Sequence, residues 1–160
     1  MTLTLRALFL FSLVFNVSAA TKAYRGAWFE VTPPAGFKVI PSIASSGVPG
    51  QYDSVRFESG DKKVRFYIFS PQWAGETPDI AVQKDESEKT DKTEKSGGFT
   101  RRWYTITSKS GGFTRSYVEN TSEDKSVRWV IGVEYADQKS YDKYKADYLK
   151  FKKSLRQFAD

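Results

Sequence analysis

The chain contains no cysteine and no histidine. Without cysteine there are no disulfides, no thiolate nucleophile and no thiolate metal site. Without histidine the commonest general base is gone, together with the side chain whose charge changes near neutral pH. A Ser-His-Asp triad is therefore impossible, and stability has to come from a packed core alone. Long hydrophobic runs are also scarce. The one candidate, Ala7 to Val17 (ALFLFSLVFNV), falls short of the ~20 apolar residues that a helix needs to span a bilayer.

That run sits in a leader-like segment. Arg6 is the only charge among residues 1–20, and Ser18-Ala19-Ala20 supplies small residues after the apolar stretch. The pattern is that of a cleavable export signal, with cleavage after Ala20 or after Ala19, and a buried N-terminal helix or strand as the alternative. No cysteine follows the run, which excludes lipoprotein anchoring. The remaining segment, residues 21–160, reads as a single domain with no integral membrane segment, secreted or periplasmic. Losing Arg6 lowers the formal charge of +6 to +5. Of the 160 residues, 39% are hydrophobic and 16% aromatic, enough large rings for a small domain to build its core from few of them.

Period-2 alternation and turn residues mark the strands. Ala27 to Thr32 and Phe37 to Ile40 flank the turn Pro33-Pro34-Ala35-Gly36. Val55 to Glu58 and Val64 to Phe69 form a hairpin across Ser59-Gly60-Asp61-Lys62. Pro41 to Gln51 and Ser70 to Pro78 read as loops. Lys84 to Ser96 has no apolar residue and reads as an exposed edge strand or a mobile loop; a charged edge discourages pairing with other chains. The segment Lys95-Ser96-Gly97-Gly98-Phe99-Thr100-Arg101 recurs at Lys109 to Arg115, which predicts two turns of one type, each followed by a strand. Phe99 to Ser108, Phe113 to Asn120 and Val127 to Tyr135 then form a three-stranded meander. In its last strand Val127, Trp129, Ile131, Val133 and Tyr135 share a core face; the facing of the first two strands stays open, because one residue of slip exchanges the two sides. Finally, Tyr141, Tyr144, Tyr148, Phe151, Leu155 and Phe158 are spaced 3, 4, 3, 4, 3, which draws one apolar stripe along a helix. Ser140 or Asp137 is placed to cap it. The expected fold is α+β: an antiparallel sheet of six to seven strands covered by the C-terminal amphipathic helix.

Two segments carry a resemblance. The opening Phe29-Glu30-Val31-Thr32-Pro33-Pro34-Ala35-Gly36-Phe37-Lys38-Val39 and the closing Tyr144 to Leu155 stretch, ending in Phe158, resemble the αβα sandwiches typified by the extrinsic PsbP subunit of photosystem II. They also resemble small secreted bacterial proteins related in fold. The chain is shorter than plant PsbP. The resemblance implies a non-enzymatic binding or accessory role and carries over no catalytic residue, cofactor or metal ligand.

The residues themselves point the same way. Gly97-Gly98 and Gly111-Gly112 lack the lysine and helix of a phosphate loop. Asp85 to Glu94 lacks the glycine and ligand alternation of an EF-hand. Ser108-Lys109 and Ser110 leave serine-lysine catalysis only formally open. A carboxylate pair acting on envelope polysaccharide is the enzymatic alternative, yet the acids crowd the polar stretch 85–94, where nothing suggests burial. The positive balance has two readings. Arg101, Arg102, Arg115 and Arg128, interleaved with Trp103, Tyr104, Tyr117 and Trp129, either solvate the outer faces or meet an anionic envelope component, polymer or headgroup; export argues against nucleic acid. Trp73, between Pro71 and Gly75, is either an anchor for a protein partner or a plug on the sheet edge, and Tyr24 and Trp28 divide the same way. The candidate partner-binding residues are thus Trp73, Trp28, Arg101, Arg102 and Arg115. Asn120-Thr121-Ser122 matches a glycosylation acceptor.

Overall fold

The computed structural model describes residues 21–158. The expected export signal at 1–20 lies outside the described residues. Ten strands and one α-helix follow in the order β1 Tyr24–Arg25, β2 Phe29–Val31, β3 Lys38–Pro41, β4 Ser54–Glu58, β5 Val64–Phe69, β6 Glu86–Ser96, β7 Phe99–Ser108, β8 Thr114–Ser122, β9 Arg128–Tyr135, α1 Gln138–Ser154 and β10 Arg156–Gln157. Seven strands form one antiparallel sheet in the order β3-β4-β5-β9-β8-β7-β6, and β1, β2 and β10 form a small second sheet. The fold is therefore α+β, with the long sheet and the C-terminal helix where the residue pattern puts them.

Lys84 to Ser96 resolves into the edge strand β6. Its partner is β7, with an irregularity between Thr90 and Lys92 that leaves Asp91 as an extra residue. Bulges and charges together keep such an edge from templating other chains. The two Gly-Gly turns differ. Gly97 and Gly98 both have positive φ and join β6 to β7 directly, whereas only Gly111 has positive φ in the longer 109–113 connection. In that second turn the hydroxyls of Ser108 and Ser110 both donate to Asp85, drawing the loop toward the start of β6.

One face of the long sheet meets α1. Phe57, Phe66, Ile131 and Val133 pack there against Tyr148 and Phe151; the Phe57–Phe151 and Phe66–Phe151 ring centroids lie 5.4 and 5.2 Å apart. The helix starts at Asp137, whose carboxylate accepts from Ser140 N at 2.7 Å. It stops earlier than the stripe predicts. Leu155 is already extended, and Arg156 and Gln157 pair with Glu30 and Phe29 of β2. Leu155 still packs on the core, so the apolar spacing survives a change of backbone.

The opposite face is built differently. Tyr67, Phe69, Tyr104, Ile106, Tyr117 and Val130 form a second cluster, sealed by Ile80. Ile80 belongs to the segment after β5, which contains a single 3-10 turn, Pro78–Ile80. Arginines from the sheet hold this segment by its carbonyls. Arg56 donates to Asp79 O, Arg115 to Ile80 O and Ala81 O, and Arg128 to Gly75 O. A buried C=O needs a donor, so these contacts let an irregular chain lie flat on the sheet.

Candidate functional site

α1 rests on β5, β9 and the small strand β2. The same face of β6, β7 and β8 is left without a helix. Register with β9 places Val118 opposite Ile131, and Trp103 opposite Val118, so Trp103, Thr105, Ser116 and Val118 look out beside the helix. The result is a groove of about 600 Å3 between α1 and the free half of the sheet, walled by Tyr141, Tyr148 and Lys152 and floored by Val118, Val133 and Trp103. A second hollow of about 210 Å3 continues it toward the helix end, sharing Trp103, Val118 and Lys152 and adding Arg101, Trp129 and Leu155. A third, of about 250 Å3, opens past Trp129 between Trp28, Phe99 and Phe158.

Cations gather on the groove. Lys92 Nζ lies 5.3 Å and Arg101 Cζ 5.8 Å from the Trp103 ring centroid, and Lys152 Nζ 5.5 Å from that of Tyr148. Burial, with the nearby Arg101 charge, pushes Lys152 below the usual lysine range. The acids nearby are Asp91, which accepts from Thr105 Oγ1 at 2.8 Å, and Glu94, which pairs with Lys92. Leu149 is 47% exposed, and helical phase sets it on the groove flank of α1.

The five residues proposed from sequence are not brought together. Arg101 is exposed and lines the groove. Arg102, its neighbour in β7, points to the opposite face and pairs with Glu88 at 2.6 Å and Glu119 at 3.4 Å. Arg115 is buried there too, paired with Glu86. Both belong to the layer that holds the 75–81 segment, and neither is free to meet a partner. Trp28 and Trp73 stack edge to face at 6.2 Å, half-buried against each other. Trp28 also borders the third hollow. Sequence reasoning missed Lys92, Lys152, Tyr141 and Tyr148 as groove residues. The strand facing that exposes Trp103 was undecided, and the helix tyrosines read equally well as core. Asn120 is 1% exposed, in the middle of β8, so the folded chain presents no glycosylation acceptor there.

Carboxylates do gather, but on the arginine side. Tyr67 and Tyr117 donate to Asp79 at 2.9 Å and Glu134 at 2.8 Å. Arg56 lies 3.8 Å from Asp79 and 3.4 Å from Glu134, and Arg65 lies 2.8 Å from Glu58. Burial and the adjacent carboxylates push both phenols far above their usual range. Burial also favours a neutral Glu119, but Arg128 and Arg102 outweigh it and hold the carboxyl below its ordinary value. These acids are neutralised by neighbours, and none of the hollows described above is lined by them.

No protein-family model matches the chain, and no curated protein matches it. Solved structures do. The fold is similar to the solution structure of cyanobacterial PsbP (CyanoP) from Synechocystis sp. PCC 6803, with 12% identity, a TM-score of 0.51, and coverage of 89% of this chain and 96% of that one. It is also similar to the Ran-binding protein Mog1p of Saccharomyces cerevisiae, at 8% identity and a TM-score of 0.40 over 86% of this chain and 96% of that one. The chain has a PsbP-like fold. Among the described residues no helix is long and apolar enough to cross a membrane.

Proposed function

We propose that the chain is an exported, non-enzymatic binding or accessory module of the bacterial envelope, which engages its partner through the groove beside α1. The observation that carries this reading is the mismatch of helix and sheet. One helix spans β5 and β9 of a seven-stranded sheet, and the uncovered strands present Trp103, Val118 and cations instead of the all-polar surface that water alone would favour. The absence of histidine and cysteine from the whole chain supports a role without covalent chemistry. So does the pairing of Asp79, Glu134 and Glu58 with arginines; Asp53, a buried carboxyl pushed up by burial, lines none of the hollows described above. The leader-like residues 1–20 support export.

Crosslinking to native envelope components tests the surface. Trp103→Ala should sharply reduce the captured species, while Trp73→Ala, which changes a residue outside the groove, should not. Equal capture by Trp103→Ala and the parent chain rejects the groove. A purely electrostatic association with anionic surfaces would instead vanish at moderate salt, where the screening length is about 8 Å, whatever the state of Trp103.

A further inference from the structure

At the Trp129 end of the groove the polar side-chain groups are all donors: the Arg101 guanidinium, the Lys152 ammonium and the indole N–H groups of Trp103 and Trp129. Among the described residues neither Arg101 nor Lys152 forms an ion pair. Glu94, the register partner of Arg101, is taken by Lys92. Beside Arg101 on the neighbouring strand stands Asn120, buried, with its Oδ1 accepting from Arg101 Nε at 2.8 Å. Its Nδ2 is buried with no partner. Two unneutralised cations on one corner ask for an acceptor carrying negative charge.

We propose that Arg101, oriented by the Asn120 carbonyl that accepts from its Nε, and Lys152 form an oxyanion subsite that takes a carboxylate from an acidic, aliphatic peptide segment lying along the groove. The inference rests on the groove being the binding surface. The rest of the groove selects the peptide. Beside the hydrogen-bonding side chains of Thr105 and Ser116, its floor carries Val118, Val133, Ile131 and Leu155, an aliphatic surface that matches aliphatic side chains better than sugar hydroxyls. A lipid surface is too flat to reach a floor recessed between helix and strands. A chain that alternates carboxylates with aliphatic side chains satisfies both halves, and its charge complements Lys92, Arg101 and Lys152. The depressed ionisation of Lys152, caused by burial and by Arg101, is what a bound carboxylate would relieve.

The probe is a short capped peptide alternating glutamate and leucine, titrated into isotope-labelled protein and followed by NMR. The side-chain amide of Asn120 and the Nε–H of Arg101 should shift saturably. Lys152→Gln and Arg101→Gln should each weaken binding on the order of tenfold. Lys150→Gln, on the solvent side where Lys150 lies 4.0 Å from Asp147, should leave it unchanged. Equal affinity in Lys152→Gln and the parent, or shifts spread evenly over surface lysines, overturns the subsite. Tighter binding of oligogalacturonate or of phosphatidylglycerol vesicles with the same Asn120 shift overturns the peptide assignment. If the peptide fails while Trp103→Ala still abolishes envelope capture, the subsite falls and the groove stands; if both fail, so does the groove.

Discussion

On the side toward α1, Phe57, Phe66 and Phe151 meet ring on ring, and none of the three is exposed at all. On the other side, Tyr67 and Tyr117 meet edge to face at 5.6 Å, but both end in hydroxyls that donate to carboxylates, and arginines surround them. A helix satisfies its own backbone, so the first face needed only apolar surface to close. The second face is closed by an irregular segment, whose carbonyls had to be met by side chains from the sheet. The contrast teaches that Arg56, Arg115 and Arg128 serve as internal strapping, whereas Arg101, on the groove, forms no ion pair among the described residues.

The largest effect should come from breaking the apolar side. Phe66 touches Phe37, Tyr148 and Phe151, and Phe66→Ala should cost about 3–5 kcal/mol in denaturant unfolding. A loss below about 1 kcal/mol would mean that the helix is not the main closure. A smaller loss should follow on the tyrosine side. Gly132 is the register neighbour of both Tyr67 and Tyr117, and a Cβ there would sit 2.1 Å from the Tyr117 ring. Gly132→Ala should therefore cost about 1–3 kcal/mol through overpacking, and a neutral outcome would show that the ring is free to move.

The smallest effects, and the sharpest contrast, lie in pH. Glu119 is held below its ordinary value in the folded state, so its contribution is complete above the unfolded carboxyl range and is lost as pH falls through the folded value. Glu119→Gln should flatten the acid limb of a stability–pH curve measured by urea midpoints. Tyr67 and Tyr117 are raised, so their contribution is complete below the unfolded phenol value of about 10 and is lost as pH rises beyond it. Tyr148, on the helix side, is raised by burial, with Tyr141 adding to the effect, and has no carboxylate beside it. Tyr117→Phe should flatten the alkaline limb and also cost about 1 kcal/mol at neutral pH, because Glu134 loses a donor. Tyr148→Phe should flatten it without that neutral cost. An unchanged alkaline slope in both variants would refute the role of buried phenols.

Much of the frame was legible in the residues. Val55 to Glu58 alternates as a strand should and Val64 to Phe69 returns across a turn as its hairpin partner, while Tyr141 to Phe151 repeats too regularly to be anything but a helix face. The site was far less legible. Arg101 and Arg102 are adjacent and chemically alike, yet one lines a groove and the other is bound to Glu88 and Glu119 on the reverse face. Nothing local distinguishes them, since a strand sends alternate side chains to opposite sides and only the pairing register says which side is which. Leu155 kept its inward position while leaving the helix, because burial rewards an apolar side chain whatever backbone delivers it.

By itself, then, the sequence determined the strands, the amphipathic helix, the charged edge and the absence of thiol or imidazole chemistry, all of which follow from local pattern and composition. Tertiary structure alone decided that the helix spans only part of the sheet and that most arginines are spoken for. It likewise left Arg101, Asn120 and Lys152 together at one corner. Those outcomes depend on register and on long-range contacts between segments far apart in the chain, which no local pattern encodes.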